Sequence, residues 1–345
     1  EVDVDDGGIW VTNSSKKLVG HLNYDSRILD GAFRANTTEF DIGQSGNDVT
    51  FTDKTAHSVA PVDVAQVSLG AATSLPENAR VVQGGSRLAV MDASGGQVWL
   101  SQVSSPSSTA YTDEGAVATD MDQGVATVSQ KGTLFAISPR AGRRISVTRE
   151  GQLDRLKSTD IKGLSANAEL VITAVGEQPV ALDTRNRVLV LPDGSLRNLA
   201  DDGISASVTL QDVGPDSSSV LLATDRELIS VPLKGGAVTK IPASSDGSSG
   251  TPARPVFHKG CAYGAWAKSG AYVRNCTDPS LNSQMIVDSL KKATTIVFRT
   301  NRTRIVLNDT TSGSVWLPEH NMVLMDDWDK QDPNLDKKEK EEDSP

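Results

Sequence analysis

Apolar and β-branched residues fall in short runs along this chain, separated by polar turns. Arg87 to Gln102 shows the unit most clearly. Leu88-Ala89-Val90-Met91-Asp92 leads through Ala93-Ser94-Gly95-Gly96 into Gln97-Val98-Trp99-Leu100-Ser101. Two such runs around a Ser-Gly-Gly turn are the sequence form of a β-hairpin. The pattern recurs about every 40 residues, the spacing that stacked or radially arranged β-units produce.

Reading the recurrence from the start gives eight units of four short strands. The first runs Val2-Asp3-Val4, Ile9 to Thr12, Lys17 to Leu22 and Ala32 to Arg34; the second spans Phe40 to Leu69. The third is built on the hairpin at Arg87 to Gln102, with a short return near Ala110-Tyr111, and the fourth spans Val117 to Val147. The fifth spans Leu170 to Leu199, the sixth Val208 to Ile241, the seventh Cys261 to Val287 and the eighth Thr295 to Met325. Four antiparallel strands per repeat predict an all-β fold, a β-propeller of eight four-stranded blades, with seven blades as the alternative. Val2-Asp3-Val4 is expected as the innermost strand of blade 1. Arg149 to Asn167 lengthens one connection and is polar, so it reads as a surface excursion. Ala243 to Pro252 reads as a flexible loop.

Residues 1–325 therefore form the propeller, and the character changes at residue 326. From Asp326 onward the chain is acidic and almost free of apolar residues, which predicts a solvated tail or an interdomain linker over 326–345. The start at Glu1-Val2-Asp3, without an initiator Met or a signal peptide, is expected of a processed or cut-out segment.

Composition agrees with short strands and tight turns. Aromatics are only 4% while Gly reaches 29 and Pro 15, which disfavours a large helical core. No apolar run approaches the length of a membrane helix. The net charge is -10, about half of it in the last twenty residues, so a polyanion is repelled and nucleic acid is excluded as a partner.

Cys261 and Cys276 flank a predicted hairpin, Cys261 to Trp266 and Ala271 to Cys276. Antiparallel pairing brings them within bridging distance, and one well-placed pair favours a disulfide and an oxidising, extracytoplasmic setting. Over so short a loop the bridge is worth roughly 3 kcal/mol in the chain-entropy picture. Two free, partly buried thiols are the alternative.

Candidate chemistry is sparse. His21, His57, His258 and His320 lie in different repeats without ligand spacing, so zinc or histidine catalysis has no signal. Asp3, Asp5 and Asp6 before Gly7-Gly8 resemble the start of a calcium loop, but the Glu at its twelfth position is missing and turn acids explain them. Asp53, Asp92 and Asp183 each end the second strand of a blade, a position suited to capping the next turn. Trp10, Trp99 and Trp316 recur after Gly-containing turns; packing between blades is the simpler reading, a sugar-binding face the alternative. No Gly-x-Ser-x-Gly elbow or Walker-type phosphate loop occurs. Asn13, Asn36, Asn275, Asn301 and Asn308 begin Asn-x-Ser/Thr triplets, acceptors in a eukaryotic secretory pathway only. No catalytic, cofactor-binding or metal-binding residue is assigned.

The opening Asp5-Asp6-Gly7-Gly8-Ile9-Trp10-Val11-Thr12-Asn13 resembles the start of the extracytoplasmic region of large actinobacterial surface proteins that end in fibronectin type III or Ig-like domains. Val98-Trp99, the Cys261 to Cys276 hairpin, and Val315-Trp316-Leu317-Pro318 followed by Asp327-Trp328-Asp329 carry the same resemblance. It implies a membrane helix before this segment, modular domains after it, and a cell-surface location, and it brings no catalytic residues. The Gly-x-Ile-Trp pattern also resembles streptogramin lyase propellers, whose clustered histidines and acids are scattered here. The expectation is a monomeric, non-catalytic scaffold, not an enzyme, that uses no cofactor. It would bind protein or cell-wall polysaccharide at one end of the ring, where loops from several blades converge. A carbohydrate-active or lyase-type propeller is the alternative.

Overall fold

A computed structural model of the chain describes residues 4–151 and 153–330. Eight antiparallel sheets follow one another in sequence order and close into a ring, a β-propeller built on a four-strand plan. The eight-blade expectation is met. Inner strands Phe40–Ser45, Ala79–Gly84, Val125–Val128, Leu170–Val175, Thr209–Leu210, Val256–His258 and Ile296–Asn301 face the axis for blades 2 to 8. Later strands of each blade step outward and alternate their side chains between the two neighbouring blades, because successive residues of a strand point to opposite faces. Val90 and Trp99 pack towards blade 2, while Met91 and Val98 pack towards blade 4.

Each blade repeats one local device. The last residue of the second strand, or one just beyond it, turns its side chain back onto backbone N–H groups of the following turn. Asp53, Asp92, Asp183 and Asp309 do so in blades 2, 3, 5 and 8. Ser138, Thr224 and Ser269 do so in blades 4, 6 and 7, and Asn13 does the same at the end of the first described strand of blade 1. Such short polar side chains satisfy donors that a tight turn leaves unpaired. At Asp92 the Ser94 hydroxyl, then the Gly95 and Ser94 amides, hold the carboxyl below the usual carboxylate range.

Three sequence expectations need correction, and a fourth, the innermost strand at Val2-Asp3-Val4, lies largely outside the described residues. Residues 1–3 lie outside the described residues, and Val4 is 64% exposed and outside any strand. Blade 1 therefore shows three strands among the described residues, Gly8–Asn13, Leu18–Asn23 and Ile28–Arg34, with the first innermost. Arg149 to Asn167 is no excursion at its start, because Arg143–Glu150 pairs with Leu153–Asp160 along their whole length as the outer hairpin of blade 4. An outermost strand has water around it and loses the apolar alternation that marks inner strands. The segment at Val117-Ala118, expected to open blade 4, instead bridges to Val98 at the outer edge of blade 3. Thr251-Pro252, placed in a flexible loop, is a short strand paired with the second strand of blade 7.

The boundary at residue 325 also shifts. Trp328 is 4% exposed and packs between blades 8 and 1 with Leu18, Leu29 and Val306. Its indole sits where a Cβ on Gly20 would lie 2.9 Å from the ring, and its Nε1 donates to the Gly313 carbonyl at 2.6 Å. Lys16 pairs with Asp329 beside it. The remainder of the predicted tail, 331–345, lies outside the described residues.

Candidate functional site: the central channel

The inner strands do not pack evenly around the axis. Blades 3 and 4 approach so closely that a Cβ on Gly84 would lie 2.3 Å from the Ser129 carbonyl oxygen, so only glycine fits. Opposite them the inner strands are short or interrupted. Blade 6 has only Thr209–Leu210, and blade 7 breaks between Thr251–Pro252 and Val256–His258. This asymmetry leaves a cavity of about 620 Å³ along the axis, within the usual range of ligand pockets. Gln44, Gln83, Asp212, His258, Arg299 and Asn301 are among its polar lining residues, and Val256 and Phe298 contribute apolar surface.

Much of this polarity closes the ring. The innermost described strand of blade 1 has an open backbone edge towards the channel, and side-chain amides from its neighbours cover it. Gln44 accepts from the Trp10 amide at 3.0 Å. Asn301 donates to the Gly8 carbonyl at 3.0 Å and accepts from the Gly46 amide at 2.8 Å. Asn308 accepts from the Thr12 amide at 3.0 Å and donates to the Thr12 carbonyl at 3.1 Å, imitating a strand partner. Primary amides suit this task because each carries a donor and an acceptor, as a peptide unit does.

Arg299 ties the same three blades. It donates to Asn308 Oδ1 at 3.0 Å, to the Ile42 carbonyl at 3.3 Å and to Thr12 Oγ1 at 3.0 Å. Its nearest carboxylate is Asp41, 3.9 Å away. Burial pushes its pKa down, and Asp41 and Asp212 oppose that shift.

Two channel-lining residues each bury one polar atom without a partner among the described residues, His258 Nε2 and Gln83 Oε1. His258 is 6% exposed. Burial lowers its pKa, with the Thr303 backbone and Glu319 acting in the other direction. Gln83 donates to the Asp48 carbonyl at 2.7 Å, which fixes the amide but not its oxygen.

The four histidines remain apart. His21 is held between Asp30 at 2.5 Å and Asp6 at 3.3 Å on blade 1. His57 occupies a left-handed turn position, and His320 meets Arg27 at 3.0 Å. Among the described residues no group of three His, Cys, Asp or Glu could hold a metal. Asp5 pairs with Arg304 at 3.0 Å and accepts from the Gly7 amide, and Asp6 accepts from the Gly8 amide at 2.8 Å. The Arg304 bond, ahead of the Gly7 amide, holds the Asp5 carboxyl low. These acids are turn and clasp residues; Asp3 lies outside the described residues. Two Ser-x-x-Lys spacings, Ser14 to Lys17 and Ser289 to Lys292, also have structural roles. Ser14 closes the turn that Lys17 enters, and the Ser289 hydroxyl accepts from Trp316 Nε1 at 2.9 Å.

Trp10, Trp99 and Trp316 each pack in a seam between blades, as do Trp266 and Trp328. Cys261 and Cys276 stand directly opposite in paired strands and are joined as a disulfide. Asn13, Asn301 and Asn308 are buried, whereas Asn36 and Asn275 are exposed. Sequence reasoning missed Arg299, Asn301 and Asn308 as a set, since their partners lie up to 296 positions away.

No family model and no curated protein matches the chain. Solved structures do. AztD from Citrobacter koseri, in its apo form, aligns at 12% identity over 92% of this chain and 93% of its own, with a TM-score of 0.55. Dihydro-heme d1 dehydrogenase NirN aligns at 11% identity over 92% of this chain and 72% of its own, with a TM-score of 0.61. BamB from Moraxella catarrhalis aligns at 12% identity over 89% and 90%, with a TM-score of 0.52. At such identities these similarities show the propeller fold alone.

Proposed function

We propose that this chain is a non-catalytic, extracytoplasmic propeller, a monomeric scaffold that presents one end of its ring to protein or cell-envelope ligands as part of a larger membrane-anchored surface protein. The observation that carries the reading is the use made of the channel's charge. Arg299, its deeply set cation, spends its hydrogen bonds on Asn308, Ile42 and Thr12, holding blades together, while its nearest carboxylate, Asp41, stands 3.9 Å away. An enzyme of the lyase or glycosidase kind needs titratable groups converging on one reacting centre. The disulfide supports the oxidising compartment. The surface-protein resemblance supports the membrane anchor and the downstream domains.

The test is capture of envelope components by the purified chain, followed by exchange of the turns around the channel mouth, such as Ser45 to Asp48 and Asn301 to Arg304. Binding that is lost on exchange while the ring still melts cooperatively supports a binding scaffold. Turnover of a polysaccharide or lactone that disappears in His258→Ala would replace it with the enzymatic reading.

A further inference from the structure

We propose that the outer hairpin of blade 4 docks on an anionic lipid surface, with Leu153 entering the headgroup layer and Arg149, Arg155 and Lys157 facing the lipid phosphates. This contact goes beyond the reading of the ring as a scaffold and does not depend on what the ring's end binds. Three observations lead to it.

The first is shape. The second strand of blade 4, Leu134–Ser138, begins opposite Val147 of the third. The third strand runs on through Thr148, Arg149 and Glu150, still paired with Arg155, Asp154 and Leu153 of the fourth. Three residue pairs, roughly 10 Å of hairpin at the usual rise per residue, therefore overhang the blade. The second is apolar surface left in water. Leu153 is 74% exposed, the most of any large apolar side chain among the described residues, and Leu156 is 48% exposed. The register puts Leu153 with Arg155 and Lys157 on one face and Leu156 with Arg149 on the other, so both faces are apolar and cationic. The third is charge. The chain as a whole carries -10, yet Val125 to Lys162 holds eight Lys and Arg against three Asp and Glu. Glu150 already pairs with Arg155 at 2.8 Å, and Asp154 with Arg87 at 3.0 Å. Two leucines are too little apolar surface for the core of a stable protein interface, and Lys157 and Asp160 on the outer edge discourage a partner strand. An anionic bilayer suits the same hairpin, since its phosphates attract cations and its acyl boundary accepts isolated apolar side chains.

Co-sedimentation of the intact chain with mixed phosphatidylglycerol–phosphatidylcholine vesicles, against phosphatidylcholine alone, tests this. The expected result is binding to the anionic vesicles that weakens with salt, and little binding to the neutral ones. Leu153→Ser should weaken it about tenfold. Arg149→Gln combined with Lys157→Gln should weaken it about thirtyfold, each cation near the surface being worth about fivefold. These side chains are exposed, so the thermal midpoint should stay in place. Lys292→Gln, an exposed cation between blades 7 and 8, should leave binding unchanged. Absence of binding to the anionic vesicles, or equal binding to both kinds, would overturn the proposal. So would binding that loses nothing in Leu153→Ser or falls as far in Lys292→Gln, because charge anywhere on the ring would then suffice. Tighter binding of polyglutamate than of vesicles, lost in the Arg149 and Lys157 variant, would replace the lipid with an acidic protein segment.

Discussion

The seam between blades 5 and 6 and the seam between blades 8 and 1 solve the same packing problem with different chemistry. The first is an aliphatic zipper: Val175, Val180, Leu182 and Leu189 of blade 5 meet Leu210, Val220, Leu222 and Ile229 of blade 6, all buried. The second also has an apolar layer, Ile9, Val11, Leu22, Val306 and Leu317, but adds Trp328 from beyond the last strand and a layer of amides around Arg299. The difference follows from where the chain closes on itself. An internal seam joins consecutive blades, so side-chain burial suffices. The closing seam joins residues near the two ends, and no strand from one end pairs into the sheet of the other among the described residues. Directional hydrogen bonds therefore fix the register that connectivity sets elsewhere.

The largest expected effect is on the closing seam. Trp328→Ala empties a socket shaped by Gly20 and Gly313 and strands the Gly313 carbonyl; we expect a loss of about 3–5 kcal/mol in denaturant unfolding. A chain ending at Met325 should lose as much, whereas one ending at Lys330 should not. Equal stability of the two truncations would refute the latch. Leu222→Ala in the aliphatic seam should cost about 2–5 kcal/mol through its cavity.

A pair of shape-conserving swaps sharpens the contrast. Leu182→Met should cost under about 1.5 kcal/mol, because an apolar seam asks only for volume. Asn308→Leu should cost about 3 kcal/mol although it too is nearly isosteric, because it leaves the Thr12 backbone and Arg299 without their partner. If the two swaps prove equally mild, the amide layer is ornamental to closure.

The two seams were not equally legible. The aliphatic one follows from strand alternation, and the Trp packing from repeated Gly-x-Ile/Val-Trp settings. The turn caps at Asp53, Asp92 and Asp183 were legible because each acts within three residues of itself. Asp183→Ala removes bonds to the Arg185 and Asn186 amides and should cost about 2 kcal/mol, measured by thermal unfolding. The amide layer gives no local sign. Asn301 and Asn308 sit in ordinary strand positions, and Gly8 and Thr12, which they bond, are far away in sequence. Trp328 was hidden differently: one aromatic among acids carries no periodicity, so composition assigned it to the tail. Leu153–Asp160 was missed because exposure on both faces removes the alternation by which a strand is recognised.

Acid separates the seams by a smaller margin. On the rim of the aliphatic seam Arg197 donates to Asp202 through Nε at 2.8 Å and Nη2 at 2.7 Å, and Nη2 also reaches the Gly236 carbonyl of blade 6. The Arg197 hydrogen bond holds the Asp202 carboxyl below its ordinary range. A carboxyl depressed in the folded state contributes stability above its unfolded pKa, about 3.9, and loses it as pH falls through the lower folded value. The amides of the closing seam do not titrate, so their bonds persist through that window, although the Asp5–Arg304 clasp at the rim of that seam weakens with the same sign. Between pH 4 and 2 hydrogen exchange should therefore rise first in Leu196–Asn198 and Thr239–Pro242, by the equivalent of about 1 kcal/mol, while Thr12 stays protected. Asp202→Asn should show the loss already at pH 7 and a flatter acid response. If Thr12 exchanges in parallel with the blade 5 rim, the ring opens as one unit and the two seams are energetically one.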